Sequence, residues 1–292
     1  MKQQSANLRH AFSSHPSRFL ASGAGYASDT AQSSASLRLF EPALTARRPG
    51  NIPVPLVDKL RELGLGGMAR CVERLDLDSC STEISFEQKL SLLIEHEFAD
   101  RNKRQLARRL RQANLRYNAS IAEVDYNAVR GFDDALFHLL AMGKWIAERE
   151  NAIIEGPTGV GKTWLACALA EKACRDGKSV RYERMPHLMA DLVLLHGSRR
   201  YSQRMRRLQA VDLLILDDWG LERFQADQRV EIFEILDRRY DERSTLIVSQ
   251  CALENWPRII GRSTGAVLVD RIIHNAHRLR LKGGSLRHRP QS

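Results

Sequence analysis

The consecutive residues Gly156, Pro157, Thr158, Gly159, Val160, Gly161, Lys162 and Thr163 fit the spacing G-x-x-x-x-G-K-[ST] of a phosphate-binding P-loop. A triphosphate needs many hydrogen-bond donors close together and few side chains in the way. Gly156, Gly159 and Gly161 lack a Cβ, so the backbone can take a sharp loop and turn its N–H groups onto phosphate oxygens. Lys162 is then placed to reach the β- and γ-phosphates, and the Thr163 hydroxyl to help hold Mg2+. Further on, the apolar run Leu213, Leu214, Ile215 and Leu216 ends in Asp217 and Asp218. A carboxylate at the end of a central strand lies across from such a loop, where it orients Mg2+ through water. This assigns Asp217 to the metal. Asp218 is expected to face the γ-phosphate and polarise the attacking water.

Phosphoryl transfer mostly requires positioning and neutralisation of charge. A polar residue at the tip of the next strand would complete the water's surroundings. Ser249 and Gln250 stand there, and Gln250 has the longer reach. A cation on the γ-phosphate side is still needed. Arg271, after Asp270, is a candidate arginine finger supplied in trans by a neighbouring subunit; the alternative is a structural salt bridge.

These groups work only if the chain positions them. Asn151 to Glu155 is a short apolar run of buried-strand type, and the stretch 164–175, rich in Ala and Leu, reads as a helix stopped by Gly177. Strands are predicted at 179–182, 213–216 and 244–248, with an edge strand at 277–281. Helices are expected through Leu188, Met189, Leu192 and Leu195, and over 228–239 with Ile232, Phe233, Ile235 and Leu236 inward. Alternation of this kind implies an α/β fold with a doubly wound parallel sheet. Upstream, Asp133 is expected to cap a helix whose apolar set, Leu136, Leu139, Leu140, Met142, Trp145 and Ile146, forms core.

The N-terminal part differs. Leu56, Val57, Leu60 and Leu63 recur at helical spacing before Gly64, Gly66 and Gly67 interrupt. A short helix over 68–75 follows, and Ser85 with Gln88 makes a capping box opening a long helix through Leu106 and Leu110. That helix carries Arg101, Lys103, Arg104, Arg108, Arg109, Arg111 and Arg116. Arg104, Arg108 and Arg111 share one face, and Asp100 is the only acid among the group, so self-neutralisation is not expected. A phosphate-backbone surface or a solvated face would both fit; Tyr117 could stack on a base. A second basic cluster, Arg199, Arg200, Arg204, Arg206 and Arg207 with Tyr201, precedes the 213–216 strand. The formal net charge of +10 over 292 residues favours a polyanionic partner.

Residues 1–50, with only Asp29 and Glu41 as acids, read as a disordered tail, an organellar transit peptide or a translated extension. No apolar run approaches the roughly 18 residues of a spanning helix, so no membrane is expected as a partner. Cys71, Cys80, Cys167, Cys174 and Cys251 show no zinc-like spacing, which points to reduced thiols in a cytosol.

Residues 156–163, the run L-L-I-L-D-D-W-G at 213–220, Ser249-Gln250 and D-R-I-I-H-N-A-H-R at 270–278 together resemble the IstB-type insertion-sequence ATP-binding proteins. These transposition helper ATPases are similar to DnaC-type helicase loaders, and the resemblance covers about residues 54–287. It implies an AAA+ ATPase of the bacterial cytoplasm that binds ATP and Mg2+, assembles into homo-oligomers on duplex DNA and recruits or stimulates a transposase. It also implies Lys162, Thr163, Asp217 and Asp218 in the roles above, Gln250 as the sensor-1 residue, Arg271 as the trans finger, and Arg104, Arg108, Arg111, Arg199 and Arg200 toward DNA. The organisation expected is an N-terminal extension to residue 53, a helical basic domain over 54–119, the ATPase domain over 120–287 and a short tail. The chain departs from the family pattern at Gly283-Gly284-Ser285-Leu286-Arg287, where an acid usually precedes the final Ser-x-Arg. The rival readings are a DnaC-like helicase loader and an ATP-binding DNA scaffold that scarcely hydrolyses.

Overall fold

Among the described residues, five strands pair in parallel throughout: β1 (Asn151–Glu155), β2 (Val180–Arg184), β3 (Leu213–Trp219), β4 (Ser244–Ser249) and β5 (Ala276–Arg280), in the order β2-β3-β4-β1-β5. The structure is a computed structural model that describes residues 54–77, 85–126, 131 and 133–286. The expectations for residues 1–50, Cys80, Arg287 and part of the 126–131 connector lie outside those residues. The strands read as continuously apolar because both faces of the sheet are covered. Ala152, Ile154, Leu213, Ile215, Leu246 and Val248 enter one core, whereas Ile153, Leu214, Leu216 and Ile247 enter the other.

On the first face lie α4 (Asp134–Ala141), α5 (Lys144–Ala147) and α6 (Lys162–Arg175). Ala166, Cys167, Ala168, Ala170, Ala173 and Cys174 are almost wholly buried, so small side chains let α6 lie close on the strands. The second face carries α7 (Met185–Leu195), α8 (Arg199–Ala210), α9 (Ala226–Arg239), α10 (Trp256–Ile260) and α11 (Arg262–Ile273). There Trp219 packs 5.4 Å from Trp256 and 5.3 Å from Phe224, centroid to centroid. This is the α/β fold with a doubly wound parallel sheet and a P-loop after β1 expected from the sequence, preceded by helices.

Those preceding helices are α1 (Val54–Glu62), α2 (Gly66–Leu77) and α3 (Phe86–Ala113). Ser85 and Gln88 form the expected capping box, and α3 ends at Asn114 in the left-handed region, φ 54°. α2 begins at Gly66 rather than after the glycines. A Cβ on Gly67 would lie 2.6 Å from the Glu97 Cα, so its absence lets α2 touch α3. The buried Glu97 carboxylate accepts the Gly67 and Met68 N–H groups at 2.7 and 3.2 Å, capping α2 from across the contact. Packing continues past residue 120: Arg109 Nε donates to the Cys174 carbonyl at 2.8 Å, and Arg181 Nη1 to the Gln112 carbonyl at 3.1 Å.

Other sequence expectations need correction. The helix capped by Asp133 breaks at Gly143, φ 74°, and α5 starts anew. Met142 (70 % exposed) at the break faces outward; within α4 the buried pair is Phe137, absent from the expected set, and Leu140, which leaves Leu139 41 % exposed. The second strand runs to Arg184, and Ser179 instead holds the Asp212 carboxylate through its N–H and hydroxyl. The second basic cluster lies on the regular helix α8. Arg239, buried in α9, caps the end of α8 by donating to the Leu208 and Val211 carbonyls at 2.8 Å each.

Candidate nucleotide-binding site

β1 feeds the P-loop directly, and α6 begins at Lys162. Gly159 (φ 89°) and Gly161 (φ 93°) occupy the left-handed region that L side chains rarely adopt. Gly159 faces a second constraint, since a Cβ there would overlap Ser285. The stretch after β5 thus lies on the loop, tied by the Leu286 N–H to the Gly159 carbonyl at 2.9 Å. Lys162 is buried, and its Nζ donates to the Gly156 and Pro157 carbonyls at 2.8 and 2.7 Å.

The two acids diverge although they are adjacent. Asp217 is 1 % exposed and accepts from the Thr163 hydroxyl at 3.0 Å, the Tyr182 hydroxyl at 2.6 Å and the Asp218 N–H at 2.8 Å. Burial, then the bond to this carboxylate, pushes the Tyr182 phenol far above its usual range. Arg116 joins the same network: burial opposes its charge, but the Tyr182 hydroxyl and the Asp217 charge raise its pKa further. Asp218 has φ 59°, beside a break in register between Leu216 and Trp219. The break turns its side chain out of the strand's alternation toward the cavity. Arg184, the last residue of β2, donates Nε and Nη2 to the Asp218 Oδ2 at 2.8 and 2.7 Å.

Loop, acids and Gln250 line one cavity of about 380 Å3. Gln250 Oε1 accepts from the Thr158 hydroxyl at 2.7 Å. Ser249 turns the other way and donates to the Trp219 carbonyl at 2.9 Å. Arg271 stands apart from the cavity. It is ion-paired with Asp237, and its guanidinium lies 5.4 and 5.7 Å from the Phe233 and Tyr240 ring centroids. Within one subunit, the salt-bridge alternative is the one observed.

The opposite wall was not assigned from the sequence. Arg116, Tyr117, Val124 and Asp125 line it, with the Arg116 guanidinium 5.4 Å from the Tyr117 ring centroid. The sequence offered a hint, since Asn114 and the basic run end a long helix. Nothing in the linear order shows that the helix ends beside the P-loop. The expected basic face also changes. Arg104 pairs with Asp100 at 2.8 Å and Glu97 at 3.4 Å, and Arg101 pairs with Glu97 at 2.7 Å, so that end of the row carries its own counter-ions. Arg108 and Arg111 are exposed, as are Arg199 and Arg200 on α8.

Residues 58–292 match the IstB-like ATP-binding protein family. The chain belongs to that family. An insertion sequence ATP-binding protein of Sinorhizobium fredii, y4pL, is 49 % identical over 234 residues, covering 80 % of this chain and 96 % of that protein. The ATP-binding protein of insertion sequence IS1162 from Pseudomonas fluorescens is 42 % identical over 195 residues, 66 % of this chain and 84 % of the relative. Among solved structures, DnaI is similar with a TM-score of 0.48 and 22 % identity, over 56 % of this chain and 91 % of that one. This IstB-family chain is an insertion-sequence-associated ATP-binding protein by kinship. Among its described residues, no helix is long and apolar enough to cross a membrane.

Proposed function

We propose that this protein hydrolyses ATP with Mg2+ in the bacterial cytoplasm, assembles as a homo-oligomer on duplex DNA and regulates or recruits a transposase. The observation that carries the hydrolytic reading is the division between the acids: Asp217 is locked to Thr163, while Asp218 opens onto the cavity that Lys162 borders. Mg2+ keeps several waters and takes one or two protein oxygens beside the phosphates. The Thr163 hydroxyl and the Asp217 carboxylate, 3.0 Å apart, suit that demand. Bound there, the ion would neutralise charge on the phosphate oxygens. Asp218 then orients the attacking water and Gln250 completes its surroundings. Tyr117 stacks on the base. In the assembly Arg271 serves a neighbouring site in trans, residues 54–119 supply DNA contact and oligomerisation, and residues 120–287 supply the ATPase.

The Arg184 contact favours a second reading. Two of its guanidinium nitrogens, Nε and Nη2, engage one oxygen of Asp218, which suits an ATP-binding scaffold with little turnover. The full-length chain assayed with and without duplex DNA separates the two. Hydrolysis that rises with DNA and disappears in Lys162→Ala and Asp218→Asn supports the ATPase; wild type without turnover on DNA supports the scaffold. Co-purification with a replicative helicase instead of a transposase would favour the helicase-loader alternative.

A further inference from the structure

Two basic segments, far apart in the sequence, meet at the outer edge of β2. There α3 and α8 flank the edge strand and leave a cleft of about 530 Å3 lined by Arg109, Gln112, Ser179, Arg181, Arg204 and Arg207. Its arginines come from three elements and none is adjacent in sequence to another. Counter-ions only partly offset them. Glu183 meets Arg181 at 2.5 Å and Arg204 at 2.8 Å, and the exposed Asp191 lies 3.6 Å from Arg204, whereas Asp212 pairs with Arg243 at 2.8 Å. A positive surplus remains in a concave site.

The Arg109, Arg181 and Arg204 guanidiniums are held rather than loose. Arg109 is anchored on the Cys174 carbonyl and Arg181 on that of Gln112, at 2.8 and 3.1 Å. Each guanidinium carries five N–H donors, more than these contacts consume. Pre-positioned planar donors of this kind suit phosphate oxygens, which accept paired N–H groups. The row on α3 is the weaker candidate, because Arg104 is neutralised by Asp100 and Glu97.

We propose that the phosphate backbone of duplex DNA seats in this α3–α8 cleft, with Arg109, Arg181, Arg204 and Arg207 as its contacts. The proposal rests on the DNA reading above and names the surface that reading requires. Contacts of this type go to phosphate and carry no base information. The cleft also adjoins the catalytic acids. On β2, Arg181 and Glu183 alternate with Tyr182 and Arg184, which hold Asp217 and Asp218. A backbone phosphate that engages Arg204 competes with Glu183 and so acts on the strand that carries Arg184.

The test is fluorescence anisotropy of a labelled duplex DNA with the full chain across a salt series. Arg207 is exposed on α8, so Arg207→Glu is expected to leave the thermal midpoint unchanged. It should lower the log–log salt slope by about one and the affinity by roughly tenfold near 0.1 M salt. Arg207→Lys should restore the slope. Lys144→Glu, the same charge change at a residue 79 % exposed on α5, should keep it. A slope for Arg207→Glu equal to that of wild type, with wild type binding normally, overturns the cleft alone. Absence of salt-dependent binding by wild type overturns the DNA reading and the cleft with it.

Discussion

The candidate nucleotide cavity beside the P-loop and the arginine cleft at the β2 edge are built by opposite means. In the cavity, a contiguous loop sets the donors, and its backbone angles follow from glycine at Gly159 and Gly161. In the cleft, side chains from α3, β2 and α8 meet only because the fold brings them together. A backbone-built site is therefore sensitive to single atoms. A charge-built site should lose function in proportion to the charges removed. Variants in the two regions ought to fail in different currencies.

The largest effect is expected at Lys162. Lys162→Ala should reduce ATP turnover by about 10^2–10^3-fold, the scale for losing one fixed electrostatic contact in a transition state, without changing the salt slope of DNA binding. Steady-state phosphate release and anisotropy on the same preparation check both halves. Gly159→Ala comes next. It pairs a disfavoured φ of 89° with overlap against Ser285, which should cost about 1–3 kcal/mol and lower both nucleotide affinity and thermal midpoint. An alanine variant with unaltered melting would mean the stretch after β5 does not rest on the loop.

Tyr117→Ala should weaken nucleotide binding by about 1–3 kcal/mol through lost base stacking, while Tyr117→Phe keeps the affinity. Equal affinity for the alanine variant would remove Tyr117 from the base wall. The smallest effect lies outside both sites, at Glu97. Burial alone would raise its pKa, but hydrogen bonds from Arg101 and from the Gly67 and Met68 N–H groups bring it below the usual value. A carboxyl whose folded pKa is depressed contributes stability above its unfolded pKa and loses it as pH falls through the folded value. Wild-type melting should accordingly fall at acid pH, and Glu97→Gln should flatten that dependence. An identical pH profile in the variant would separate α2 docking from this carboxylate.

Legibility followed the same division. The strand before the loop, the helix after it and the acids at the end of β3 could be read because apolar runs and glycine spacing record local geometry. Different roles for Asp217 and Asp218 were legible too, but the register break against β4 that turns Asp218, and its Arg184 partner, were not. Arg116 and Tyr117 looked like part of a basic row because only the end of α3, turned by Asn114, brings them to the P-loop. The outward direction of Met142 was hidden for a related reason: the Gly143 break resets the helical phase, which an unbroken periodicity cannot anticipate. Asp100 was visible beside Arg104, but its pairing and the second counter-ion were not, because Glu97 precedes the basic row by about a turn of α3.

The division of labour between the adjacent acids can be tested most directly by titrating Mg-ATP into Asp217→Asn and Asp218→Asn, with turnover measured on the same samples. The account predicts that Asp217→Asn loses magnesium-dependent affinity, whereas Asp218→Asn binds like wild type and does not turn over. Equal loss of affinity in both variants, or full turnover in Asp218→Asn, would contradict it.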